Sequence, residues 1–179
     1  MNYRKAVLTM AAIPLLAMSA AAGHRDDRPE RHFQANLRGR NEVPLTLSAG
    51  RGTLELTVNE TENSVHFVLT YTGLQTTVGA SHIHVGQPTA NGGVTVFFCG
   101  TVPAGFPPRP ACPQMQPATV EGDFTAADVI ALPSQQLEVN NLAKLLRAIR
   151  AGKTYVNVHT ATSPGGEIRG QIEPTRGRR

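Results

Sequence analysis

Apolar and polar residues alternate with a period of two along most of the chain after residue 32. Phe33, Ala35 and Leu37 form the first apolar series, and similar series run through residues 54–58 and 65–71. Successive side chains of a β-strand point to opposite faces, so this alternation predicts strands with one buried and one exposed face. Further strands are predicted near residues 81–85, 94–98, 118–124, 154–159 and 167–172, which gives about eight.

Turn-forming segments separate the predicted strands. Glycine, proline and asparagine are concentrated at residues 49–52, 62–63, 91–93 and 163–166. Many short strands with regular turns are typical of sandwiches and barrels. The predicted fold is therefore all-β, an antiparallel β-sandwich of about eight strands.

One segment departs from this alternation and predicts a helical insertion near residues 125–151. Its apolar residues recur at helical spacing: Leu142, Leu145, Leu146 and Ile149. Gly152 is expected to end the helix, and Thr125 is expected to cap the start of the insertion together with Asp128. The basic outer face would suit a membrane surface, but the short length favours a cover over one end of the sandwich.

The two ends of the chain differ in composition from its body. Arg4 and Lys5 precede an apolar run over residues 6–18, and small residues up to Ala22 provide a cleavage site, which together predict a secretory signal peptide at residues 1–22. Beyond it, no segment approaches the ~20 apolar residues of a membrane span. We expect a protein exported to the periplasm or the extracellular space. The remaining parts would be a flexible lead-in (23–32), one domain (33–173) and a basic tail (174–179).

The net charge of +4 comes from the ends of the chain. Two of the 17 basic residues lie in the predicted signal peptide and three more, Arg176, Arg178 and Arg179, in the tail, so the domain is close to neutral against 13 acidic residues. Nucleic-acid binders place a basic stripe on their fold. Nucleic acid is therefore not an expected partner.

The chain has two cysteines, Cys99 and Cys112. Exported proteins meet oxidising conditions, so a disulfide between these residues is expected. A pair of soft metal ligands is the alternative, and the absence of a C-x-x-C spacing disfavours it.

Histidines lie on two of the predicted strands. In SHIHVG, His82 and His84 share one strand face, and in YVNVHT, Asn157 and His159 share a face with Tyr155. If these polar faces meet, three imidazoles converge and leave a coordination position open, which suits a transition metal such as copper or zinc. Protons would compete with the metal as the pH falls through ~6.5. The alternative is that these histidines only form hydrogen bonds that hold loops together.

Other polar residues accompany the histidines as supporting or structural groups. Glu167 is placed to orient a histidine by accepting from its second ring nitrogen, or else to pair with Arg169 at the sheet edge. Glu42 precedes Val43 and Pro44 and is expected to tie that loop inward. Asn157 belongs to the same group of polar residues, whereas His66 alternates with a core series and is expected at the surface.

Five motifs occur in one order along the chain. They are FQANLRGRNEVP at 33–44, SHIHVG at 81–86, GDFT at 122–125, YVNVHT at 155–160 and GEIRGQI at 166–172. In this order they resemble the CHRD domain, the module repeated in the extracellular antagonist chordin and found singly in exported bacterial proteins. The resemblance implies an extracellular β-sandwich that serves as a binding or interaction module, with an extracellular protein or surface component as its partner.

A more distant similarity concerns copper/zinc superoxide dismutase, a sandwich that also has a His-x-His strand and a later histidine strand. His82, His84 and His159 match that arrangement, but the chain has no counterpart of the metal-bridging histidine or of the aspartate at the zinc. No nucleophile elbow, phosphate loop or HExxH helix is present, and no catalytic residue is assigned. A metal-dependent redox enzyme is therefore the enzymatic alternative to a binding module, and a purely structural domain is the third.

Overall fold

The computed structural model describes residues 29–175. The predicted signal peptide (1–22), most of the lead-in and most of the basic tail lie outside these residues. Within them, the elements are β1 (His32–Arg38), β2 (Arg51–Val58), β3 (Ser64–Thr72), β4 (Val78–Val85), β5 (Gly93–Cys99), β6 (Ala118–Thr125), α1 (Leu142–Arg150), β7 (Thr154–Thr160), β8 (Ile168–Gln171) and β9 (Glu173–Pro174).

The strands form one antiparallel sheet in the order β5-β4-β7-β8-β1-β2-β3-β6, with β9 paired to β1. The sheet folds over so that its two ends approach each other: the ring centroid of Phe98 on β5 lies 4.4 Å from that of Phe67 on β3 and 6.4 Å from that of Phe124 on β6. The result is a nearly closed all-β sandwich, as the alternation predicted. The two-residue strand β9 is too short for its pattern to be visible in the sequence.

The period-two pattern matches the observed burial. Leu54 and Leu56 on β2 are at most 1% exposed and pair across the sheet with Leu69 and Phe67 on β3. Each fully buried side chain of this kind contributes roughly 1.5–3 kcal/mol of transfer free energy. The same pattern fixes which face of each strand turns outward, and this places the polar residues described below.

The predicted helix is present as α1. Asn141 caps it, because its Oδ1 accepts from the backbone N of Lys144 at 3.0 Å, and its four apolar residues are buried. Gly152, with a φ of +64°, follows its end. The earlier part of the insertion contains only short 3-10 turns, at Ala126–Asp128 and Pro133–Gln135. Within residues 29–175, no helix has the length and apolar character that crossing a membrane requires.

The predicted Cys99–Cys112 disulfide is formed and lies behind the strand that carries two of the histidines. Two contacts hold the chain close to Cys112. Arg109 pairs with Asp128 at 2.8 Å, and Gln114 binds the backbone N and O of Val78 at the start of β4. The contact with Gln114 therefore braces the first residue of β4, at the end of the strand away from His84.

Candidate metal centre

The three predicted histidines lie on the outer face of two paired strands. β4 and β7 are antiparallel neighbours, with His82 opposite Asn157 and Ala80 opposite His159. The other face of the same strands carries Ile83, Val156 and Val158, all 0% exposed, so burial of that face turns the imidazoles outward. We call His82, His84 and His159 the histidine triad.

The triad is compact. The Nδ1 atom of His82 lies 2.9 Å from the Nε2 atom of His84, and one nitrogen from each ring can be chosen so that all three lie within 4.8 Å of one another. His82 and His84 are each 7% exposed, whereas His159 is half-buried. The shared strand face thus brings the three rings together, and metal binding by them stays a prediction.

Backbone carbonyls fix the protonation state of two rings. His84 Nδ1 lies 2.9 Å from the oxygen of Gly92, and His159 Nδ1 lies 2.9 Å from the oxygen of Pro164. A carbonyl oxygen can only accept a hydrogen bond, so each Nδ1 carries the proton and each Nε2 is unprotonated, with a lone pair that can accept. Metal-binding histidines are oriented by outer partners in this way.

The two unprotonated Nε2 atoms both lie close to a third acceptor atom. Asn157 Oδ1 lies 3.0 Å from His84 Nε2 and 2.8 Å from His159 Nε2. When both rings are neutral with the hydrogen on Nδ1, neither Nε2 can donate to this oxygen. Three acceptor atoms then face one another, an arrangement that a cation between them would stabilise.

Burial keeps the triad neutral. It lowers the pKa of His82 to about 2, an effect that His159 and His84 add to, and it lowers the pKa of His84 to about 4 against the raising effect of the Gly92 carbonyl. Burial also lowers the pKa of His159, with the Pro164 carbonyl opposing it. At neutral pH all three rings therefore have a lone pair available for a ligand bond.

Tyr155 holds His84 in two ways. The two rings stack with centroids 4.5 Å apart and an angle of 6° between their planes, and the Tyr155 hydroxyl accepts from the backbone N of Gly92, whose carbonyl binds His84. A Cβ on Gly92 would lie 1.7 Å from the oxygen of Val85, so only glycine fits this close turn. The NGG segment at 91–93 is thus a part of the site that the sequence marked only as a turn.

Arg169 supports the same tyrosine from β8, on the other side of β7. Its guanidinium carbon lies 3.3 Å from the Tyr155 ring centroid, and the group donates to the carbonyls of Gln87 and Ala90 and to Asn91 Oδ1. Arg169 is 1% exposed. It therefore fixes the turn after β4 that supplies the Gly92 carbonyl.

Glu42 is buried between Arg169, Asn157 and the turn before β8. Burial raises its pKa to about 7, against the lowering effects of the Arg169 charge and the Asn157 side chain, and Glu42 Oε1 has no hydrogen-bond partner among the described residues. Gly166 has a φ of +123°, and a Cβ there would lie 2.3 Å from this oxygen, so glycine is needed for the close approach. Glu42 is therefore a buried carboxyl group next to the amide of the site, and its role in holding the loop after β1 stays a prediction.

Glu167 does not orient a histidine in the structure. Its carboxylate accepts from the hydroxyls of Ser48 and Thr160, each at 2.6 Å, and from the backbone N of Gln75 at 3.2 Å. Nor do the described residues show an ion pair between Glu167 and Arg169. Glu167 instead joins three segments of the fold, and the carbonyls of Gly92 and Pro164 hold the rings.

His66 lies on β3, away from the triad, and is exposed as expected. Its Nδ1 lies 3.1 Å from Asp123 Oδ1 and its Nε2 3.4 Å from Glu121 Oε1, both on the neighbouring strand β6. The two carboxylates approach different nitrogens of the ring, so the three groups do not surround one point at which a metal ion could bind. This arrangement is a surface ion-pair cluster.

The triad opens onto a cleft of about 530 Å³ to which all three histidines contribute. The Cys99–Cys112 disulfide fits an extracellular type of domain. Comparison with known families matches the CHRD domain over residues 33–172, and the chain belongs to this family. Searches of curated proteins and of solved structures found no match.

Proposed function

We propose that this CHRD domain is an exported binding module whose histidine triad holds a copper or zinc ion. The family and the disulfide support an extracellular setting. The observation that carries the metal proposal is the meeting of three acceptor atoms: His84 Nε2 and His159 Nε2 both lie within 3.0 Å of Asn157 Oδ1.

The distances suit ligation after a small adjustment. Bonds of ~2.0–2.1 Å place the ligand atoms of a tetrahedral site about 3.3 Å apart. The His82–His84 nitrogen pair is shorter, at 2.9 Å, and the widest pair in the triad is within 4.8 Å. The short pair needs a hydrogen between its nitrogens when no metal is present, and because the Gly92 carbonyl keeps the His84 hydrogen on Nδ1, His82 Nδ1 is the donor. On metal binding through His82 Nδ1, this hydrogen would move to His82 Nε2, and the neutral ring would lose no proton.

Each residue around the site has a separate task. The Gly92 and Pro164 carbonyls keep the His84 and His159 lone pairs free, and Tyr155 prevents rotation of the His84 ring. A bound copper or zinc ion would supply a Lewis-acidic centre with an open coordination position. No nucleophile or general base of this chain is assigned to a reaction there, which favours a binding role over the redox alternative.

A purely structural role is the second candidate, and one feature favours it. If the Asn157 amide were turned by 180°, its NH₂ group would donate to both Nε2 atoms, and its oxygen would face Glu42. The raised pKa of Glu42 permits a carboxylic acid that donates to that oxygen. This arrangement satisfies the histidines without a metal, so the two candidates differ in whether the triad binds metal at all.

Metal titration of the untagged protein, stripped with chelator, separates these candidates. We expect one equivalent of Cu²⁺ or Zn²⁺ to bind in a calorimetric titration at pH 7, with a heat that does not depend on the buffer, because the neutral rings have no proton to release. His84→Ala should weaken binding by more than about 100-fold, because it removes a ligand rather than an outer partner. His66→Ala, an exposed histidine elsewhere on the sheet, is the matched control and should bind as the original protein does. Absence of stoichiometric binding, or equal binding by His84→Ala, contradicts the metal proposal.

Export is tested by the N-terminus of the protein recovered from its natural compartment. Cleavage after Ala22 should leave Gly23 as the first residue, and the protein should be found outside the cytoplasm. Recovery of the chain from the cytoplasm with Met1 intact would contradict this part of the proposal.

A further inference from the structure

We infer that the open position of the proposed metal site receives a neutral ligand that has an apolar body and a single nitrogen or sulfur donor. The inference rests on the proposed function, since it concerns the coordination position that the histidine triad leaves open. It adds the chemical class of what binds there.

The cleft has the size and position to hold such a ligand. Its volume of about 530 Å³ is within the range of small-molecule sites. All three histidines line it, so a metal held by the triad borders the cleft. Its remaining walls are formed mainly by small or apolar residues: Thr77, Gly79, Ala80, Val94, Ala161 and Pro164.

The chemistry of the walls selects against charge. No Asp, Glu, Lys or Arg of the described chain lines the cleft, and Thr77 and Thr160 are the only lining residues with polar side chains apart from the histidines. An anionic group on the ligand body would lose water there without gaining a cationic partner. With an apolar body, the apolar surfaces of both the ligand and the cleft wall would be removed from water, which favours binding.

The donor atom follows from the metal site. Imidazole ligands suit copper and zinc, and a further nitrogen or sulfur atom is a donor that these ions accept. Val94 lies directly opposite His84 in the β4–β5 pairing, so the apolar wall begins next to a ligand. A molecule that reaches the metal must therefore lay its body against Val94 and its neighbours.

The test compares imidazole with 4-phenylimidazole on protein loaded with Cu²⁺, followed by the visible absorption of the copper. Metal content is measured first and again after each titration. The phenyl group should tighten binding by about 10-fold or more, with a shift in the copper band that shows coordination. An analogue with a carboxylate on the phenyl ring should lose this gain.

Two variants locate the effect. Val94→Thr keeps the shape of the wall but adds a hydroxyl, and it should reduce the preference for 4-phenylimidazole by about 3-fold while metal binding and imidazole affinity stay unchanged. Val139→Thr makes the same change at a site that is 50% exposed and outside the cleft, and it should have no effect. Equal binding of the two imidazoles by copper-loaded protein, or a phenyl preference that survives removal of the copper, overturns the inference alone. Failure to load copper overturns the proposed function instead.

Discussion

Two histidine sites on the outer surface of this sheet, the single residue His66 and the histidine triad, have different surroundings. His66 is exposed and lies between the carboxylates of Glu121 and Asp123 on a neighbouring strand. The histidine triad is largely buried, and its ring nitrogens have backbone carbonyls and one amide oxygen as partners. Both groups come from the same period-two pattern, on opposite halves of the sheet order.

The difference shows which features make a histidine cluster a candidate binding site. An exposed ring between carboxylates is a surface ion-pair arrangement, typically worth 0–1 kcal/mol. Burial removes water from the triad and lowers the pKa values of its rings, so each neutral ring keeps a lone pair that can bind a metal. Metal binding should therefore separate the two groups more clearly than any other measurement.

The largest expected difference is the stabilisation by metal. At a free Zn²⁺ concentration 1,000 times the Kd, the free energy of unfolding should rise by about 4 kcal/mol, because the folded triad binds the ion and the unfolded chain does not. Urea unfolding with and without Zn²⁺ measures this rise. His82→Ala should abolish it and His66→Ala should leave it intact. An equal loss in both variants would mean that the two groups do not differ as proposed.

The disulfide comes next in size. Replacing both cysteines by serine should lower the free energy of unfolding by about 3 kcal/mol, since the closed loop restricts the unfolded chain. Hydrogen exchange should show the loss of protection mainly at residues 100–117. Metal affinity should stay close to that of the original protein, because pairing of β4 with β7 positions the triad. Equal loss of protection in β7 would show that the triad depends on the loop.

The acid stability of the metal-free protein should also distinguish the two groups. Unfolded histidines take up protons below pH ~6.5, whereas the pKa values of about 4 for His84 and about 2 for His82 keep the folded triad neutral. The unfolded state then binds more protons, so stability should fall as the pH drops from 6.5 towards 4, by about 1–2 kcal/mol per pH unit.

Urea midpoints at several pH values measure this slope. A His82→Phe/His84→Phe variant should have a shallower slope, and His66→Ala should keep the original one. The same lowered pKa values move the acid release of metal below the ~6.5 expected for ordinary histidines. Metal release centred on pH 6.5 would show that the triad is not protected by burial.

Strand alternation was sufficient to predict which side chains share a face, because that property is local. The alternation predicts that His82 and His84 face outward and that Ile83 faces the core, whichever strands are paired. The register that sets His82 opposite Asn157 depends on how the whole sheet folds, and no single strand encodes it. The convergence of the triad was therefore a conditional prediction, which the strand pairing fulfils.

The groups that hold the rings could not be predicted in the same way. Glu167 was the nearest carboxylate in the motif order, yet its oxygens are taken by Ser48, Thr160 and Gln75. The ring nitrogens bind carbonyls of Gly92 and Pro164, and a carbonyl is present at every residue, so its direction has no signature in the sequence. The turn motifs around these residues predict that the backbone turns there, but not which atoms its carbonyl groups contact.

The smallest expected effect concerns Glu42, a buried carboxyl group that contrasts with the exposed Glu121 beside His66. Its pKa of about 7 in the folded protein lies above the ordinary value of 4.5, so the folded protein takes up a proton between pH 7 and 4.5 and becomes more stable as the pH falls. Glu42→Gln removes the buried charge. In metal-free protein the variant should be more stable than the original at pH 8, by about 1 kcal/mol, and this advantage should vanish near pH 5.

Glu121→Gln, at a side chain that is 60% exposed, should change stability by less than about 0.5 kcal/mol at both pH values. Urea midpoints of the three proteins provide the comparison, and an advantage of Glu42→Gln that is the same at pH 8 and pH 5 would mean that Glu42 keeps one charge state throughout.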